Sequence, residues 1–420
     1  MNPSDIPYIP PHISLRRYEE INIFDVKNDE SYVIDEEAYS VLKFIDGNHT
    51  ICQILAEYPE HKREEVSEAL NDFYELNIVD FSPTAIADTS LISTKHKSLP
   101  DKNVFEPPYL KNLMINITEK CNLTCKHCYI TNKNLIDFPM DQLKTIINEF
   151  YELQGSKLVL TGGEPLLYSQ LRDLLIFLKD FPLIKVLLSN GVLFQDNPEI
   201  LSLLKDNYFE VFVSIDGLEQ THNDFRDANC FQTSIEGIKT LLREGITVSI
   251  NTMIHKQNLN EFEGILELFK SLGKIKNWSI DIPTFDVTTP RSIREKYEIS
   301  TEKGGEILKN YGWGEYHSSE SYDFACGPNI MAIDVLGVVT KCGFFYEETV
   351  GNIFDLGIKK SWELLQKNLN WRISDLQCAK LNCEYLEQCR GGCRYRAYQA
   401  SGNVYGVDSY KCAQFGKLNQ

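Results

Sequence analysis

The longest stretch of the chain alternates between strand-like and helix-like hydrophobic patterns. Between residues 110 and 285, six short runs rich in Val, Ile and Leu are bounded by turn residues and separated by segments with helical periodicity. Strands that alternate with helices form a parallel sheet, so the pattern predicts an α/β fold. The six predicted strands are LMINIT at 113–118, KLVLTGG at 157–163, IKVLLSNG at 184–191, VFVSIDG at 211–217, TVSINTMI at 247–254 and WSIDI at 278–282.

Polar or glycine-rich motifs follow directly after four of these predicted strands. A three-cysteine loop follows the first strand, Gly162-Gly163-Glu164 ends the second, Ser189-Asn190-Gly191 the third and Asp216-Gly217 the fourth. Because the carboxyl ends of parallel strands meet at one edge of the sheet, we expect an active site there. The helices predicted between the strands lie near 139–153, 169–180, 196–206, 232–244 and 258–272.

The first 81 residues show a different order, in which three strand-like runs precede three helical segments. The runs are HISLRRY, INIFDV and SYVID, and helices are predicted over Glu36–Asp46, from Ile51 and over Lys62–Leu76. This order predicts a small winged-helix-like unit. Residues 82–108 have no sustained period and predict a linker. The predicted divisions are therefore residues 1–81, the linker 82–108, the α/β domain 109–300 and a cysteine-rich domain 301–420.

The charge of the chain disfavours one class of function. The net charge is −18, and residues 1–80 hold 18 acidic against 6 basic side chains, a net of −12. A protein that neutralises phosphates would be basic, so nucleic acid is not an expected partner. No apolar run is long enough for a membrane span. The first residues lack a basic region followed by an apolar core, so no signal peptide is expected and the predicted location is the cytoplasm.

Twelve cysteines are the main chemical signal, because clustered cysteines in a reducing compartment more often bind metal than form disulfides. Three of them, in CNLTCKHCY, form a C-x3-C-x2-C pattern with no fourth cysteine close by. A structural zinc site uses four ligands, and a [4Fe–4S] cluster normally takes four thiolates. Three thiolates leave one iron open, which is typical of a catalytic centre. The three residues are Cys121, Cys125 and Cys128.

At this point the sequence resembles the radical S-adenosylmethionine (SAM) enzymes. CNLTCKHCY is similar to their C-x3-C-x-Φ-C signature, with His127 at the usually aromatic position. The resemblance implies a partial (β/α)6 barrel in which SAM chelates the open iron of a [4Fe–4S] cluster. Reductive cleavage of SAM then supplies a 5′-deoxyadenosyl radical, so an electron donor such as flavodoxin or ferredoxin is an expected partner.

The resemblance also implies a set of SAM-binding residues. TGGEPLL at 161–167 is similar to the family's GGEP element, and Ser189-Asn190-Gly191 occupies the place of its ribose-side motif. SIDG at 214–217 with Arg226 resembles elements that hold the carboxylate and ribose of SAM, and Asn251 is a weaker ribose candidate. The expected SAM-binding residues are Gly162, Gly163, Glu164, Ser189, Asn190, Ser214, Arg226 and Asn251.

The last 120 residues resemble the SPASM extension of radical SAM enzymes, which carries two auxiliary Fe–S clusters. The resemblance implies that Cys326, Cys342 and Cys393 bind one cluster, which lacks a fourth cysteine. Glu320 or Asp323 could complete it, or the position stays open to substrate. A pair of zinc sites is the alternative. The second cluster is expected at Cys378, Cys383, Cys389 and Cys412.

Residues 12–81 resemble the PqqD-like domains that bind precursor peptides, in which an extended leader peptide adds a strand beside the third strand and third helix. The three resemblances together suggest a peptide maturase, most similar to thioether-forming (sactipeptide-type) enzymes. The alternatives are carbon–carbon crosslinking, decarboxylation or epimerisation of a peptide, a SPASM enzyme acting on a small molecule such as a tetrapyrrole, and a zinc-stapled peptide chaperone.

Four single positions refine these expectations. In sulfatase-maturing relatives an Asp follows the second SPASM cysteine, and Gly343 stands there instead, which disfavours that activity. Cys230 is expected to be a buried, inert cysteine rather than a hydrogen-atom donor. Cys52 is expected in the core of its helix. Asp281 faces either the barrel cavity or an ion pair.

Overall fold

The computed structural model describes residues 2–86, 92–93, 99–128, 130, 134–285, 289–313, 323–343 and 345–417. It forms two compact units. The first contains Met1–Glu106 together with Tyr151–Ser156 and Lys179–Ile184. The second contains Pro107–Phe150, Lys157–Leu178 and Lys185–Gln420. Within the described residues, no helix has the length and hydrophobicity needed to cross a membrane.

The smaller unit contains the three predicted strands and three predicted helices. The strands pair antiparallel in the order β2-β3-β4, which leaves β4 at an edge. The sequence pattern missed a second small sheet, in which β1 pairs with β5. The elements are β1 Ile6–Tyr8, β2 Ile13–Arg17, β3 Ile21–Asp25, β4 Glu30–Ile34, α1 Glu36–Leu42, α2 Ile51–Ala56, α3 Arg63–Glu75 and β5 Asp80–Ser82.

Helix caps and an apolar core explain this unit. The Asp35 side chain accepts a hydrogen bond from the backbone nitrogen of Ala38, and Thr50 and Gln53 form a capping box at α2. Helix α2 buries Ile51 and Ile54, which lie three positions apart on one face. Cys52 lies on another face and is exposed, so the expectation that it belongs to the core was wrong.

The predicted linker does not separate cleanly from this unit. Strand β5 continues past the predicted boundary at residue 81, and Phe105 and Ile92 are buried. Asn103 donates from its side-chain nitrogen to the carbonyl oxygen of Arg17 at 2.7 Å. The compact unit therefore extends to Glu106, whereas residues 87–91 and 94–98 of the linker lie outside the described residues.

The larger unit is built on one nine-stranded sheet with the order β11-β10-β9-β8-β7-β6-β12-β13-β14. Its first six strands match the six predicted ones, which confirms the predicted α/β fold. Three more strands that the pattern missed extend the sheet beyond β6. The strands are β6 Asn112–Thr118, β7 Lys157–Gly162, β8 Ile184–Ser189, β9 Glu210–Ser214, β10 Thr247–Met253, β11 Trp278–Asp281, β12 Ile330–Ile333, β13 Val338–Thr340 and β14 Thr349–Asn352.

The helices fall into two groups. Those between β6 and β11 include the five predicted helices and one short polar helix, α7, which the pattern missed. Those after β11 are mostly short. The helices are α4 Met140–Glu152, α5 Leu171–Phe177, α6 Pro198–Asp206, α7 Glu219–Arg226, α8 Phe231–Arg243, α9 Phe262–Leu272, α10 Arg291–Tyr297, α11 Thr301–Asn310, α12 Ile353–Asn368, α13 Gln377–Lys380, α14 Leu386–Cys389, α15 Arg394–Ser401 and α16 Ser409–Gln414.

The cysteine-rich region joins the sheet directly. Strand β12 pairs parallel with β6, aligning Ile330 with Asn112 and Ile333 with Ile115. Strands β13 and β14 then continue antiparallel. This pairing makes the cysteine-rich region part of the same sheet and places β12 directly beside the strand that leads into the three-cysteine loop.

Candidate active site

The three-cysteine loop after β6 is held against helix α7. The backbone nitrogen of Lys126 donates to the carbonyl oxygen of Phe225 at 3.0 Å. The Lys126 ammonium pairs with the Asp227 carboxylate at 2.5 Å, and the Thr124 hydroxyl donates to the same carboxylate at 3.2 Å. The missed helix therefore provides the surface on which the loop rests.

A buried ion pair lies beneath this loop. The Arg226 guanidinium donates to the Asp216 carboxylate at 2.5 Å, and its Nη1 lies 3.7 Å from the Sγ of Cys125. Burial alone would raise the pKa of Asp216, but the Arg226 charge holds that pKa at about 2. Arg226 thus neutralises Asp216 and also places an N–H donor beside a cysteine sulfur. Its expected role toward the SAM carboxylate stays a prediction.

The Gly162-Gly163 turn is pressed against the start of the cysteine loop. The backbone nitrogens of Gly163 and Glu164 donate to the carbonyl oxygens of Thr118 and Lys120, each at 2.7 Å. A Cβ atom at Gly162 would lie 2.3 Å from the Thr118 oxygen, and one at Gly163 would lie 2.3 Å from the Lys120 oxygen. Glycine is therefore required here by backbone packing against the loop.

Glu164 is fully buried, and its carboxylate organises the next strand end. It accepts hydrogen bonds from the Ser189 hydroxyl and the Asn190 backbone nitrogen, both at 2.8 Å. Burial raises the pKa of Glu164 to about 7, and these hydrogen bonds oppose the rise. The Asn190 side chain also donates to the Asn122 side-chain oxygen at 2.8 Å, which ties the third motif to the cysteine loop.

Ser214 and Asn251 lie side by side. They are register partners on β9 and β10, at the carboxyl ends of the strands, and both are half-buried. The predicted SAM-binding residues thus come from neighbouring strand ends, as expected, and their contact with SAM stays a prediction.

An aromatic stack fills the space behind the cysteine loop. The rings of His127 and Phe225 are 4.2 Å apart and nearly parallel, and the Phe225 and His255 rings are 4.0 Å apart. His255 donates from Nε2 to the Asp216 carbonyl oxygen at 3.1 Å. Burial lowers the pKa of His127 to about 3 and that of His255 to about 4, so both rings are neutral at pH 7.

Cys230 has the environment of a structural cysteine. It is buried, and its Sγ lies 3.5 Å from Nε2 of His222. The backbone nitrogen of Asp216 donates to Nδ1 of His222 at 3.1 Å, so neutral His222 carries its proton on Nε2 and faces the sulfur as a donor. Burial raises the pKa of the Cys230 thiol. These contacts agree with the expectation of an inert cysteine.

The residues around Cys121, Cys125 and Cys128 fit the iron–sulfur cluster that the sequence resemblance implies. The backbone nitrogen of Leu123 donates to the Sγ of Cys121 at 3.5 Å, and Arg226 faces Cys125. Donors of this kind stabilise thiolates, which are the ligands a cluster needs. Within the described residues, no three His, Cys, Asp or Glu side chains converge as on a single metal ion.

The structure brings Cys326, Cys342 and Cys393 together, in the grouping that the sequence predicted. Cys393 donates a hydrogen bond to Cys326, which lowers the pKa of Cys326 to about 7 despite its burial, and Cys342 acts on Cys326 through its charge. Asp323, one of the suggested fourth ligands, is exposed. Glu320 lies outside the described residues.

The remaining four cysteines, Cys378, Cys383, Cys389 and Cys412, line one small pocket. Tyr385, Leu386, Phe415 and Lys417 complete its lining. Burial and, to a smaller extent, the charges of the neighbouring cysteines raise the pKa of Cys412 to about 12. Such thiols need a metal to become thiolates at pH 7, so this group also fits a cluster.

Asp281, whose orientation the sequence left open, forms an ion pair. Its carboxylate contacts the Arg396 guanidinium, which also donates to Asp408 at 2.9 Å from Nη2. Asp408 is buried and accepts from the backbone nitrogen of Cys393 at 2.7 Å. This chain of contacts links the last barrel strand to the Cys393 turn.

Gly343, after the second SPASM-type cysteine, lies against the interior of the barrel sheet. A Cβ atom there would lie 2.7 Å from the Sδ of Met114. Met114 packs with Val159, Val186 and Phe212 in an apolar floor. The nearby Tyr346 hydroxyl accepts from the Asn116 side chain at 3.1 Å. The segment after Cys342 therefore reaches the cavity side of β6.

Sequence reasoning missed several residues that shape this site. His222, Phe225 and His255 surround the Asp216–Arg226 pair, and Asp227 holds the cysteine loop. The spacing of His222, Phe225 and Arg226 by three and four positions was the available signal, since it places them on one helical face.

Comparison with known proteins agrees with this geometry. Residues 115–269 match the radical SAM superfamily. The AdoMet-dependent heme synthase of Methanosarcina barkeri is 27% identical over 72% of this chain and 96% of that protein. The antilisterial bacteriocin subtilosin biosynthesis protein AlbA of Bacillus subtilis is 22% identical over 93% of this chain and 88% of that protein.

Among solved structures, Streptococcus suis SuiB bound to precursor peptide SuiA has a TM-score of 0.66 and 16% identity, covering 97% of this chain and 100% of that chain. This likeness agrees with the α/β fold described above. With the family match on residues 115–269 and the three-cysteine loop at the strand ends, the chain contains a radical SAM domain, and the protein is an enzyme.

Proposed function

We propose that the protein is a SPASM-type radical SAM maturase that binds a ribosomally made precursor peptide and forms a thioether from a peptide Cys to a peptide carbon. In this proposal residues 1–81 recognise the leader, 109–300 form the radical SAM barrel and 301–420 hold two auxiliary clusters. The observation that supports a peptide substrate is the small N-terminal unit with its open sheet edge.

The edge strand β4 of that unit suits strand addition by a peptide. It lies at one end of the β2-β3-β4 sheet, and its residues are exposed or half-buried. Val33 on this strand is 57% exposed. An edge strand offers unpaired backbone groups to an extended peptide, while side-chain pockets fix the register. The acidic charge of residues 1–80 favours a basic leader, and binding should weaken as salt rises.

The extent of the similarity also supports a peptide substrate. The protein AlbA, named for subtilosin biosynthesis, and SuiB, solved with a precursor peptide, each match more than nine-tenths of this chain. The heme synthase covers only 72% of it.

The cysteine loop, the strand-end residues and the auxiliary groups have distinct proposed roles. Cys121, Cys125 and Cys128 hold the [4Fe–4S] cluster, and the strand-end motifs bind SAM. When bound, the cluster and SAM supply a 5′-deoxyadenosyl radical that abstracts a hydrogen atom. Arg226 and the loop backbone orient the cysteine sulfurs, and the aromatic stack of His127, Phe225 and His255 keeps water from their rear side.

The test is anaerobic incubation of the iron-loaded enzyme with SAM, dithionite and each small peptide encoded beside its gene. Thioether formation removes two hydrogen atoms from the peptide and leaves one fewer thiol open to alkylation. A carbon–carbon crosslink removes the same mass but keeps the thiol, decarboxylation removes CO2, and epimerisation leaves the mass unchanged. Mass spectrometry with and without alkylation therefore separates the four reactions.

Two variants serve as controls. Cys121→Ala should abolish 5′-deoxyadenosine formation. Val33→Asp in β4 should weaken peptide modification while SAM cleavage without peptide continues. Modification that is indifferent to deletion of residues 1–81 would contradict the peptide-binding role of the N-terminal unit.

A small-molecule substrate is the second candidate, because the heme synthase has the higher identity to this chain. Iron coproporphyrin added to the same assay tests it. Conversion of the porphyrin with no peptide product would replace the first proposal.

A further inference from the structure

Two buried cations beside the auxiliary cysteine groups lack any carboxylate partner in the described part of the chain. Arg394 directly follows Cys393 and is 0% exposed, and Lys341 directly precedes Cys342 and is 2% exposed. Neither forms an ion pair with a described residue, whereas the neighbouring Arg396 pairs with two carboxylates. A buried charge without a counter-charge is costly, so an anionic partner is expected for each.

Carbonyl oxygens hold the Arg394 guanidinium in place without neutralising it. Its Nη1 donates to the carbonyl oxygens of Val404 and Gly406, both at 2.8 Å, and its Nη2 donates to Gly391. Its Nε has no hydrogen-bond partner among the residues that the structure describes. The Arg394 backbone nitrogen donates to the sulfur of Cys326, and its charge acts on both Cys326 and Cys378. Arg394 therefore faces one cysteine of each auxiliary group.

Lys341 faces only the group of three cysteines. Its Nζ donates to the Asn370 side-chain oxygen at 2.6 Å and to the Pro328 carbonyl oxygen at 3.2 Å. The Trp362 ring lies 5.4 Å away. Burial lowers the pKa of Lys341 to about 7, and the charges of Cys326 and Cys342 oppose this fall, so an anionic group beside it favours its charged form.

We propose that Arg394 is the shared counter-charge of both auxiliary clusters and that Lys341 is the counter-charge of the Cys326–Cys342–Cys393 cluster alone. The proposal rests on the auxiliary clusters of the proposed function. A fixed positive charge favours the reduced cluster, which carries one more negative charge, and so raises the reduction potential. The three-cysteine cluster has two such cations and only three thiolates, so it is the easier of the two to reduce.

The test is an EPR-monitored redox titration of the iron-loaded protein. Arg394→Met should lower the potentials of both auxiliary clusters, and Lys341→Met only that of the three-cysteine cluster. In each case we expect at least a tenfold fall in the ratio of reduced to oxidised cluster at fixed potential, which is a shift of about 59 mV for a one-electron couple. The cluster at Cys121, Cys125 and Cys128, identified by its response to SAM, should not shift.

Matched variants separate charge from structure. Lys417 lines the four-cysteine cavity but is partly exposed and paired with Glu384, so Lys417→Met should leave all potentials unchanged. Arg394→Lys and Lys341→Arg keep the charge and should keep the potentials. Iron and sulfide are counted in every variant. If the Met variants are fully loaded with iron and their potentials do not change, the counter-charge proposal is wrong. If the wild-type protein holds no iron beyond one [4Fe–4S] cluster, the proposal of auxiliary clusters is itself wrong.

Discussion

Arg226 of the barrel and Arg394 and Lys341 of the cysteine-rich region are buried cations with different surroundings. In the barrel, the buried Arg226 guanidinium is matched by the buried Asp216 carboxylate. In the cysteine-rich region, Arg394 and Lys341 are buried without a carboxylate among the described residues, and their neighbours are cysteines. The Arg226 site thus has a protein counter-charge, whereas the neighbours of Arg394 and Lys341 are cysteines that become thiolates when they bind a metal.

The barrel and the cysteine-rich region also differ in the length of the elements that build their hydrophobic cores. The barrel is made of strands of four to seven residues with long amphipathic helices between them. In the cysteine-rich region, α12 buries Ile353, Ile358, Trp362 and Leu365, while α13 and α14 have four residues each. Helices this short have little stability of their own. Iron should therefore matter more to the fold of this region than to the barrel.

The largest expected effect comes from Asp216→Asn, compared with Asp408→Asn. Each change removes a buried carboxylate that pairs with an arginine, which destabilises a protein by about 3–5 kcal/mol. For Asp216→Asn we expect this loss in the free energy of unfolding of the barrel, measured by urea denaturation. For Asp408→Asn we expect loss of iron from the auxiliary groups first, because Asp408 also holds the backbone of Cys393. Equal loss of iron from the auxiliary groups in both variants would contradict the expected difference between Asp216 and Asp408.

A backbone clash should give the next largest effect. Gly162 has φ of +152°, and its Cβ would lie 2.3 Å from the Thr118 carbonyl oxygen. We expect Gly162→Ala to cost about 1–3 kcal/mol and to displace the three-cysteine loop. The measurement is EPR of the SAM-responsive cluster, which should be lost while the auxiliary signals remain. Gly402→Ala, at a positive φ with open space around it, is the matched control for backbone strain alone.

The sequence predicted the barrel better than its surroundings, for physical reasons. Six buried strands have strong periodic signals, but α7 (EQTHNDFR) is polar and buries His222 and Arg226, so no hydrophobic pattern marks it. Strand β12 has four residues and is fixed by its pairing with β6, which is a long-range contact. The grouping of the cysteines was predicted from the family resemblance. The roles of Asp216 and Phe225 depend on packing contacts that cannot be predicted from one sequence.

A buried histidine of the barrel should contribute to the pH dependence of stability. Residues 323–417 contain no histidine, whereas burial lowers the pKa of His255 from 6.5 to about 4. As the pH falls below 6.5, His255 of the unfolded chain binds a proton. In the folded chain His255 binds that proton only near pH 4. Stability from this group is therefore full above pH 6.5 and is lost between pH 6.5 and 4.

We expect His255→Asn to reduce the slope of unfolding free energy in that window by about 1.4 kcal/mol per pH unit. Urea denaturation of both proteins at several pH values measures the slope. A constant offset between the two proteins, with parallel slopes, would show that His255 contributes packing but is not held neutral by burial.

The smallest expected effect is at Asp281, the exposed end of the contact chain through Arg396. The Asp281 side chain is 51% exposed, whereas that of Asp408 is 1% exposed. Water already screens the exposed carboxylate, and Arg396 keeps its buried partner when Asp281 becomes Asn. We therefore expect Asp281→Asn to change the unfolding free energy by less than about 1 kcal/mol and to leave the iron content intact. A loss as large as that of Asp408→Asn would mean that the barrel strand itself holds the Cys393 turn, so that the two regions fold as one rather than by separate means.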